Sequence, residues 1–198
     1  MSATGPVRRS KTSRDDWITP RELAAGLAAE LNLGRFDLDA AADEENSKAP
    51  TWLSGPHYGP GFGGRCGLCA PWQGRVWLNP PYGGGLMRWI DKIQNELSRD
   101  GPPPQAIVVL LSNATETIYF QRLASLAKGL VFITGRIGFI DPSTGKPATN
   151  NPSGSVAFLL LPGPRPAGAS PWVQFVHRDQ LLSMGRAVLA YQEKENER

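Results

Sequence analysis

The tetrapeptide Asn79-Pro80-Pro81-Tyr82 combines residue types that can hold and orient a flat polar molecule. The Asn79 amide oxygen and the Pro80 carbonyl are both hydrogen-bond acceptors, and proline adds no competing backbone N–H. The two prolines fix the backbone angle φ, which stiffens the corner that they form. Tyr82 adds an aromatic face on which a ring can stack. These features predict a rigid site that accepts hydrogen bonds from an amino group.

A conjugated amine such as that of adenine is a poor nucleophile, because its lone pair is delocalised into the ring. Two acceptors on the amine hydrogens, one from Asn79 and one from Pro80, would draw the nitrogen towards tetrahedral geometry as it attacks a methyl donor. A flipped-out base would gain roughly 1–3 kcal/mol by stacking on Tyr82. The alternative is that the tetrapeptide is only a turn, followed by an aromatic side chain that packs into the core.

The surrounding sequence predicts that this corner follows a β-strand. Residues 76–78 are Val-Trp-Leu, and residues 83–85 are three glycines, so the chain leaves a short strand and enters a glycine-rich loop. Ligands of α/β proteins bind beyond the carboxyl ends of the strands. The tetrapeptide therefore stands where an α/β sheet places its chemistry.

Five segments, in order over residues 15–163, resemble the phage-type DNA N-6-adenine methyltransferase family, and the tetrapeptide looks like the motif of S-adenosylmethionine-dependent amino-methyltransferases. The segments are Asp-Trp-Ile-Thr-Pro at 16–20, Phe-Asp-Leu-Asp-Ala-Ala-Ala at 36–42, the strand and corner at 76–82, Gly-Arg-Ile-Gly-Phe at 135–139, and Ser-Gly-Ser-Val-Ala at 153–157. The resemblance implies methyl transfer from S-adenosylmethionine to N6 of adenine in double-stranded DNA, with base flipping. It implies Asn79, Pro80, Pro81 and Tyr82 as catalytic residues.

The resemblance also implies cofactor-binding residues: Trp17, Thr19, Pro20, Asp39, Ala40, Asp43 and Asn46. Asp39 ends a predicted strand, where a carboxylate can receive the ammonium group of a bound amino acid. No G-x-G loop follows that strand, which departs from the commoner cofactor loop. Structural interpretations stay open, because Thr19 also begins a capping box before a helix with leucines at 23, 27 and 31, and Asp43 fits a helix cap.

Arg136 and Phe139 are the further substrate-binding candidates. Arg136 offers a phosphate clamp and Phe139 a second face for the base, although Phe139 fits a core position equally well. We expect the polar loop at 141–154 to reach over the substrate. We predict no metal, because Cys66, Cys69 and His57 fall short of the four ligands of a structural zinc site.

The fold implied by the resemblance is α/β, a Rossmann-like S-adenosylmethionine-dependent methyltransferase fold in abbreviated form, with a mostly parallel sheet flanked by helices. Apolar spacing predicts a helix from Leu86 to about Arg99, and the apolar run at 107–111 indicates a strand covered on both faces. Further strands are expected at 130–133 and 155–161. Only about forty residues separate Asp39 from Asn79, so any strands between them must be short.

The composition fits one compact domain with frayed ends, since 40% of the 198 residues are hydrophobic and the net charge is only +3. We expect a disordered basic arm at 1–14, the methyltransferase domain at 15–163, and at 164–198 a linker with a helix around 180–192. The chain lacks a run of 18 apolar residues and a secretory signal, which predicts no membrane contact and a cytoplasmic location, in the host cytoplasm if the protein is phage-encoded.

Two rival functions remain open at this stage. The same tetrapeptide also suits adenine in RNA or a glutamine amide in a protein as the methyl acceptor. A rival of another class is a non-catalytic nucleic-acid-binding module, which the basic arm and the missing glycine-rich loop would fit. Nothing in the sequence indicates the target site or the oligomeric state.

Overall fold

The computed structural model describes residues 17–54, 66–83, 85–148, 151–163 and 168–197. The basic arm expected at 1–14, Asp16 and His57 lie outside these residues. The strands are β1 (Leu38–Asp39), β2 (Thr51–Trp52), β3 (Arg75–Leu78), β4 (Ala106–Ser112), β5 (Gly129–Thr134), β6 (Ser155–Leu160) and β7 (Trp172–His177). The helices are α1 (Arg21–Glu30), α2 (Leu86–Ser98), α3 (Ile118–Leu126) and α4 (Arg178–Asn196).

The strands form one mixed sheet in the order β2-β1-β3-β4-β6-β5-β7. β6 runs antiparallel to both of its neighbours, β4 and β5, whereas the other pairings are parallel. An unbroken apolar run had indicated a parallel strand at 107–111, and β4 does pair in parallel with β3. β6 is equally apolar because both of its faces are buried, so composition does not reveal its direction.

Helices cover both faces of the sheet. Alternate residues of β4 point to opposite sides: Ile107 and Val109 pack in the cluster that contains the apolar faces of α2 and α3, and Val108 and Leu110 in the cluster that contains those of α1 and α4. β4 is therefore buried from both directions, which explains its continuous apolar sequence. The carboxyl edge of the parallel strands remains available for a site.

The apolar spacing predicted α2 correctly. Trp89, Ile90 and Ile93 are buried along one face, and the helix ends at Ser98, with Arg99 at its C-cap. The capping prediction for α1 is wrong in one respect: Pro20 rather than Thr19 occupies the N-cap position. The Thr19 hydroxyl is instead engaged by a side chain from the end of β3, a tertiary contact that overrides the local pattern.

Residues 172–196 add a strand and a long helix where the sequence analysis expected a linker and a shorter helix. β7 pairs with β5 in parallel, and α4 packs on α1. The packing is close, because a Cβ on Gly26 would collide with the carbonyl oxygen of Leu181, and one on Gly185 with that of Glu22. The Pro- and Gly-rich sequence before β7 indicated a linker, so no strand was predicted there. None of the helices in the described ranges has the length and apolar content needed to cross a bilayer.

Candidate active site

The corner at residues 79–82 directly follows β3, at the carboxyl edge of the sheet. β1 lies on one side of β3, with Asp39 opposite Trp77, and β4 on the other, with Val109 opposite Leu78. Because β6 is antiparallel, its first residue, Ser155, pairs with the last residue of β4, Ser112. The ends of β3 and β4 and the beginning of β6 therefore meet at one edge.

A pocket of about 200 Å³ opens in front of the corner. Asn79, Pro80 and Tyr82 line it, whereas Pro81 is half-buried and is not one of the lining residues. The Tyr82 side chain is 38% exposed, so the alternative of a turn followed by a core aromatic does not describe it. The remaining lining residues are Trp17, Ser112, Phe139, Asn151, Pro152, Ser153, Gly154 and Ser155. None of these described lining residues carries a charge, so the pocket suits a neutral, flat and polar group.

The Asn79 side chain is held at one end and has an unused acceptor at the other. Its Nδ2 donates a hydrogen bond to Thr19 Oγ1 at 3.1 Å. Its Oδ1 is buried and has no hydrogen-bond partner among the described residues. An unsatisfied buried acceptor costs about 1–3 kcal/mol and calls for an explanation in a native fold. Because Asn79 lines the pocket, a ligand or an ordered water in the pocket could satisfy this oxygen.

Two aromatic side chains predicted from the sequence meet at a second wall. The rings of Trp17 and Phe139 stack, with centroids 6.0 Å apart and planes inclined by 27°. Next to them, Ile18 and Ile140 form a two-way backbone bridge, with N–H to O distances of 2.9 and 2.8 Å. Phe139 is only 8% exposed, so it serves the core and the pocket at once.

The third wall is the loop before β6, from which the sequence analysis named no single residue. Asn151 Nδ2 donates to the Ile137 carbonyl at 3.2 Å, and the Asn113 N–H donates to the Gly154 carbonyl at 3.1 Å. Arg136 is exposed and lies outside the pocket lining, where its Nη1 donates to the Asn151 carbonyl at 2.8 Å. The contact of Arg136 with a DNA phosphate stays a prediction. What the structure shows is the hydrogen bond by which Arg136 holds this loop.

Asp39 is buried at the end of β1, outside the pocket lining. Its Oδ2 accepts a hydrogen bond from the Lys48 N–H at 2.9 Å and its Oδ1 from the Ala41 N–H at 3.3 Å. Burial raises the pKa of Asp39 from 3.8 to about 6, while the backbone N–H and the charge of Lys48 oppose the rise. Asp39 therefore shapes the segment from 40 to 48 and keeps a proton more readily than an ordinary carboxyl group.

The other cofactor candidates lie along that segment or at α1. Asp43 Oδ1 accepts from the N–H groups of Glu45 and Asn46 at 3.1 and 3.0 Å in a local turn. No helix of the described residues begins there, so the helix-cap interpretation of Asp43 is wrong. Ala40 is buried, and its N–H donates to the Trp77 carbonyl at 3.0 Å, across from β3. Pro20 stands at the N-cap of α1. Their contact with a cofactor stays a prediction.

Cys66 and Cys69 lie in a turn, in which the N–H groups of Cys69 and Ala70 both donate to the Cys66 carbonyl. Both cysteines are free thiols, and the neighbouring Cys66 side chain raises the pKa of the Cys69 thiol. Across the described ranges, no three His, Cys, Asp or Glu side chains come together as a metal-binding group.

A family model described as DNA N-6-adenine-methyltransferase (Dam) matches residues 7–188. A protein of Escherichia phage T1 named DNA N-6-adenine-methyltransferase is 30% identical over 165 residues, which cover 74% of this chain and 63% of that relative. The chain thus spans somewhat less than two thirds of the relative that it matches. The family match includes both the corner and every wall of the pocket.

Proposed function

The chain belongs to the DNA N-6-adenine-methyltransferase (Dam) family, and from this membership we propose that it transfers a methyl group from S-adenosylmethionine to N6 of adenine in DNA. The observation that carries the proposal is that Asn79 lines the pocket and that its Oδ1 has no hydrogen-bond partner among the described residues. The adenine amine has two hydrogens to donate, and this oxygen is an acceptor. The neutral lining of the pocket suits a base better than a phosphate group.

The chain's own residues supply the orientation that this reaction needs. Asn79 Oδ1 and the Pro80 carbonyl accept hydrogen bonds from the amine and favour tetrahedral nitrogen as the attack begins. Tyr82 and Phe139 present aromatic faces to the base, with Trp17 stacked on Phe139, and each base–aromatic stack stabilises a flipped base by roughly 1–3 kcal/mol. When bound, S-adenosylmethionine supplies an electrophilic methyl group on a sulfonium. As the N–CH₃ bond would form, the S–CH₃ bond would break, S-adenosylhomocysteine would leave and the amine nitrogen would release one proton, with no covalent enzyme intermediate.

The residues at the end of β1 fit the amino-acid part of that cofactor. Asp39 places a carboxylate at the carboxyl edge, one strand away from the catalytic corner, and each of its oxygens has a second lone pair beyond the backbone N–H that it accepts. The small side chains at 40–42 leave the backbone approachable. We assign Asp39 and Ala40 to the methionine end, Trp17, Thr19 and Pro20 to the closing segment, and Asp43 and Asn46 to the ribose or adenine. The fold that this assignment implies is Rossmann-like.

The proposed partner is double-stranded DNA, whose phosphates Arg136 and the basic residues of 1–14 are suited to contact. The part of the chain that carries the chemistry lies within 15–163, and β7 and α4 complete the sheet and its cover. We propose a cytoplasmic location, in the host cytoplasm if the protein is phage-encoded.

A three-substrate assay tests the proposal. The purified chain is first titrated with S-adenosylmethionine by calorimetry and is then incubated with methyl-labelled cofactor and, separately, duplex DNA, single-stranded RNA or a glutamine-containing peptide. We expect heat of binding and label in DNA. Binding with label only in RNA or peptide would reassign the substrate. Absence of both cofactor binding and transfer would contradict the enzyme function and favour a non-catalytic nucleic-acid-binding module.

A further inference from the structure

We propose that Cys66 and Cys69 form a dithiol–disulfide site that closes reversibly by exchange with a small-molecule disulfide and, when closed, weakens cofactor binding. Methyl transfer itself uses neither cysteine. Formation of the disulfide is independent of the proposed function, whereas its effect on the cofactor rests on that function. The chain has only these two cysteines, so an intramolecular disulfide can join no other pair.

A tight turn brings the two thiols together. The Cys69 N–H donates to the Cys66 carbonyl at 3.0 Å, and the N–H of Ala70 donates to the same oxygen at 2.8 Å. In a turn closed by a hydrogen bond between its first and fourth residues, the Cα atoms of those residues are less than about 7 Å apart. Disulfides join Cα atoms that are about 4.4–6.8 Å apart. The turn can therefore accept the bond without a large movement of its backbone.

The surroundings of the pair suit thiol exchange. Cys69 is exposed and Cys66 is half-buried, so a small molecule can reach the sulfur atoms. A hydrogen bond with the Cys66 side chain raises the pKa of the Cys69 thiol, and the charges of Lys92 and Arg88, both on α2, oppose that rise. The two thiols are thus already neighbours, and the nearby cations favour a thiolate.

A C-x-x-C pair in an intracellular protein serves either redox chemistry or a metal. A structural zinc ion needs four ligands. Across the described ranges, no third His, Cys, Asp or Glu side chain joins Cys66 and Cys69. The observed pair therefore favours redox chemistry over zinc.

The turn also contacts the segment that we assign to the cofactor. A Cβ on Gly67, between the two cysteines, would collide with the Ala40 carbonyl oxygen. Gly67 donates to the Ser54 carbonyl at 2.9 Å and accepts from Trp72 Nε1 at 2.8 Å, which leaves it little freedom. With the thiols free, the Ala40 N–H donates to the Trp77 carbonyl at 3.0 Å. Closure of the disulfide should shift Gly67 against Ala40, disturb this arrangement and weaken cofactor binding.

Exchange with oxidised glutathione, a small-molecule disulfide, takes two steps. One cysteine thiolate attacks a sulfur of the glutathione disulfide. A protein–glutathione disulfide forms as the glutathione S–S bond breaks, and one glutathione thiolate leaves. The second cysteine thiolate attacks the protein sulfur of this mixed disulfide, so the intramolecular bond forms and the second glutathione thiolate leaves. The protons of the two cysteines end on the two glutathione thiols, and two electrons pass from the protein to glutathione.

The test incubates the full chain with mixtures of oxidised and reduced glutathione and counts free thiols by alkylation and mass spectrometry. We expect wild type to lose both thiols together, with the loss of two hydrogen atoms, and to regain them in excess reduced glutathione. Cys66→Ser and Cys69→Ser should each stop at one attached glutathione. On oxidation, the Kd of S-adenosylmethionine should rise about fivefold in wild type and stay constant in the double variant Cys66→Ser/Cys69→Ser.

The site would be overturned if wild type keeps both thiols, holds glutathione without closing the ring or crosslinks two chains. A stoichiometric zinc ion that protects both thiols would overturn it as well. A closed disulfide with an unchanged cofactor Kd would overturn the coupling. If reduced wild type binds no S-adenosylmethionine, the proposed function and the coupling both fail, and the thiol count still decides on the disulfide. Alanine replaces serine in any variant that does not fold, as judged by its thermal transition.

Discussion

The indole of Trp17 lies against the ring of Phe139, with centroids 6.0 Å apart and planes inclined by 27°. Trp17 precedes α1 and Phe139 follows β5, so this pair joins distant parts of the chain at one wall of the pocket. The adjoining backbone bridge between Ile18 and Ile140 holds the two segments in register. A pocket built in this way depends on the stack both for its shape and for its aromatic surface.

Replacement of Trp17 should weaken DNA binding more than it slows chemistry. We expect Trp17→Ala to raise the KM for DNA about tenfold, because Phe139 would lose the ring that holds it in place for the base–aromatic stack, which contributes roughly 1–3 kcal/mol. Trp17→Phe should keep most of the affinity. Tyr191→Ala is the matched control, since Tyr191 is an exposed aromatic on α4, away from the pocket. Steady-state kinetics on duplex DNA would measure the effect, and equal KM values for Trp17→Ala and Tyr191→Ala would refute it.

The raised pKa of Asp39 predicts a pH-dependent stability. The folded state holds the proton up to about pH 6, whereas an unfolded chain releases it near pH 3.8. The folded state therefore binds more protons between these values, and the free energy of unfolding falls as the pH rises through that window. The buried charge should destabilise the fold by up to about 3 kcal/mol above pH 6.

Urea denaturation of wild type and Asp39→Asn between pH 4 and pH 7 would measure this effect. We expect the stability of wild type relative to Asp39→Asn to decline as the pH rises, because asparagine does not ionise. Titrating groups that do not interact with Asp39 contribute equally to both proteins and cancel in the difference. Parallel stability curves for the two proteins would show that the buried carboxyl group titrates normally.

Arg136 should make one phosphate contact in addition to its bond with the Asn151 carbonyl. A guanidinium has five N–H donors, so the loop contact leaves capacity for a phosphate. We expect Arg136→Ala to lower the slope of log K for DNA against log salt by about one. Arg122→Ala is the control, because that half-buried arginine is paired with Asp91. An unchanged slope in Arg136→Ala, with weaker binding at every salt concentration, would restrict Arg136 to holding the loop.

A side chain at Gly26 should destabilise the fold, because α1 and α4 cross in close contact there. A Cβ there would meet the backbone carbonyl of Leu181, which cannot rotate away, so one helix must shift. We expect Gly26→Ala to lower the free energy of unfolding by about 1–3 kcal/mol. Gly85→Ala should be close to neutral for stability, since open space surrounds that position. Thermal unfolding of the two variants side by side would measure the difference, and equal midpoints would contradict the close packing.

Local sequence patterns predicted the elements in which burial produces either a helical spacing of apolar residues or an unbroken apolar run. Trp89, Ile90 and Ile93 define α2 through their spacing, and the apolar run of β4 marks a strand covered on both faces. The corner at Asn79 was found because its chemistry is concentrated in consecutive residues. In such cases the information lies within a few residues of the site.

The parts that the sequence analysis missed depend on contacts between distant residues. Thr19 has a capping pattern, but its hydroxyl is engaged by Asn79, 60 residues away. Ser112 and Ser155 meet because β6 is antiparallel, and an apolar strand gives no sign of its direction. β7 follows a stretch rich in proline and glycine, and its outward residues Val173 and Phe175 are exposed, so it lacks the pattern of a core strand.

The central claim, that the oxygen of Asn79 accepts a hydrogen bond from the amine that is methylated, is tested most directly by single-turnover methylation with mass spectrometry of the digested DNA. Wild type should produce N6-methyladenine. Asn79→Ala should do so about a hundredfold to a thousandfold more slowly with an unchanged Kd for S-adenosylmethionine, and Asn95→Ala, which removes an exposed amide on α2, should match wild type. Equal rates for wild type and Asn79→Ala, or methylation of a base other than adenine, would contradict the claim.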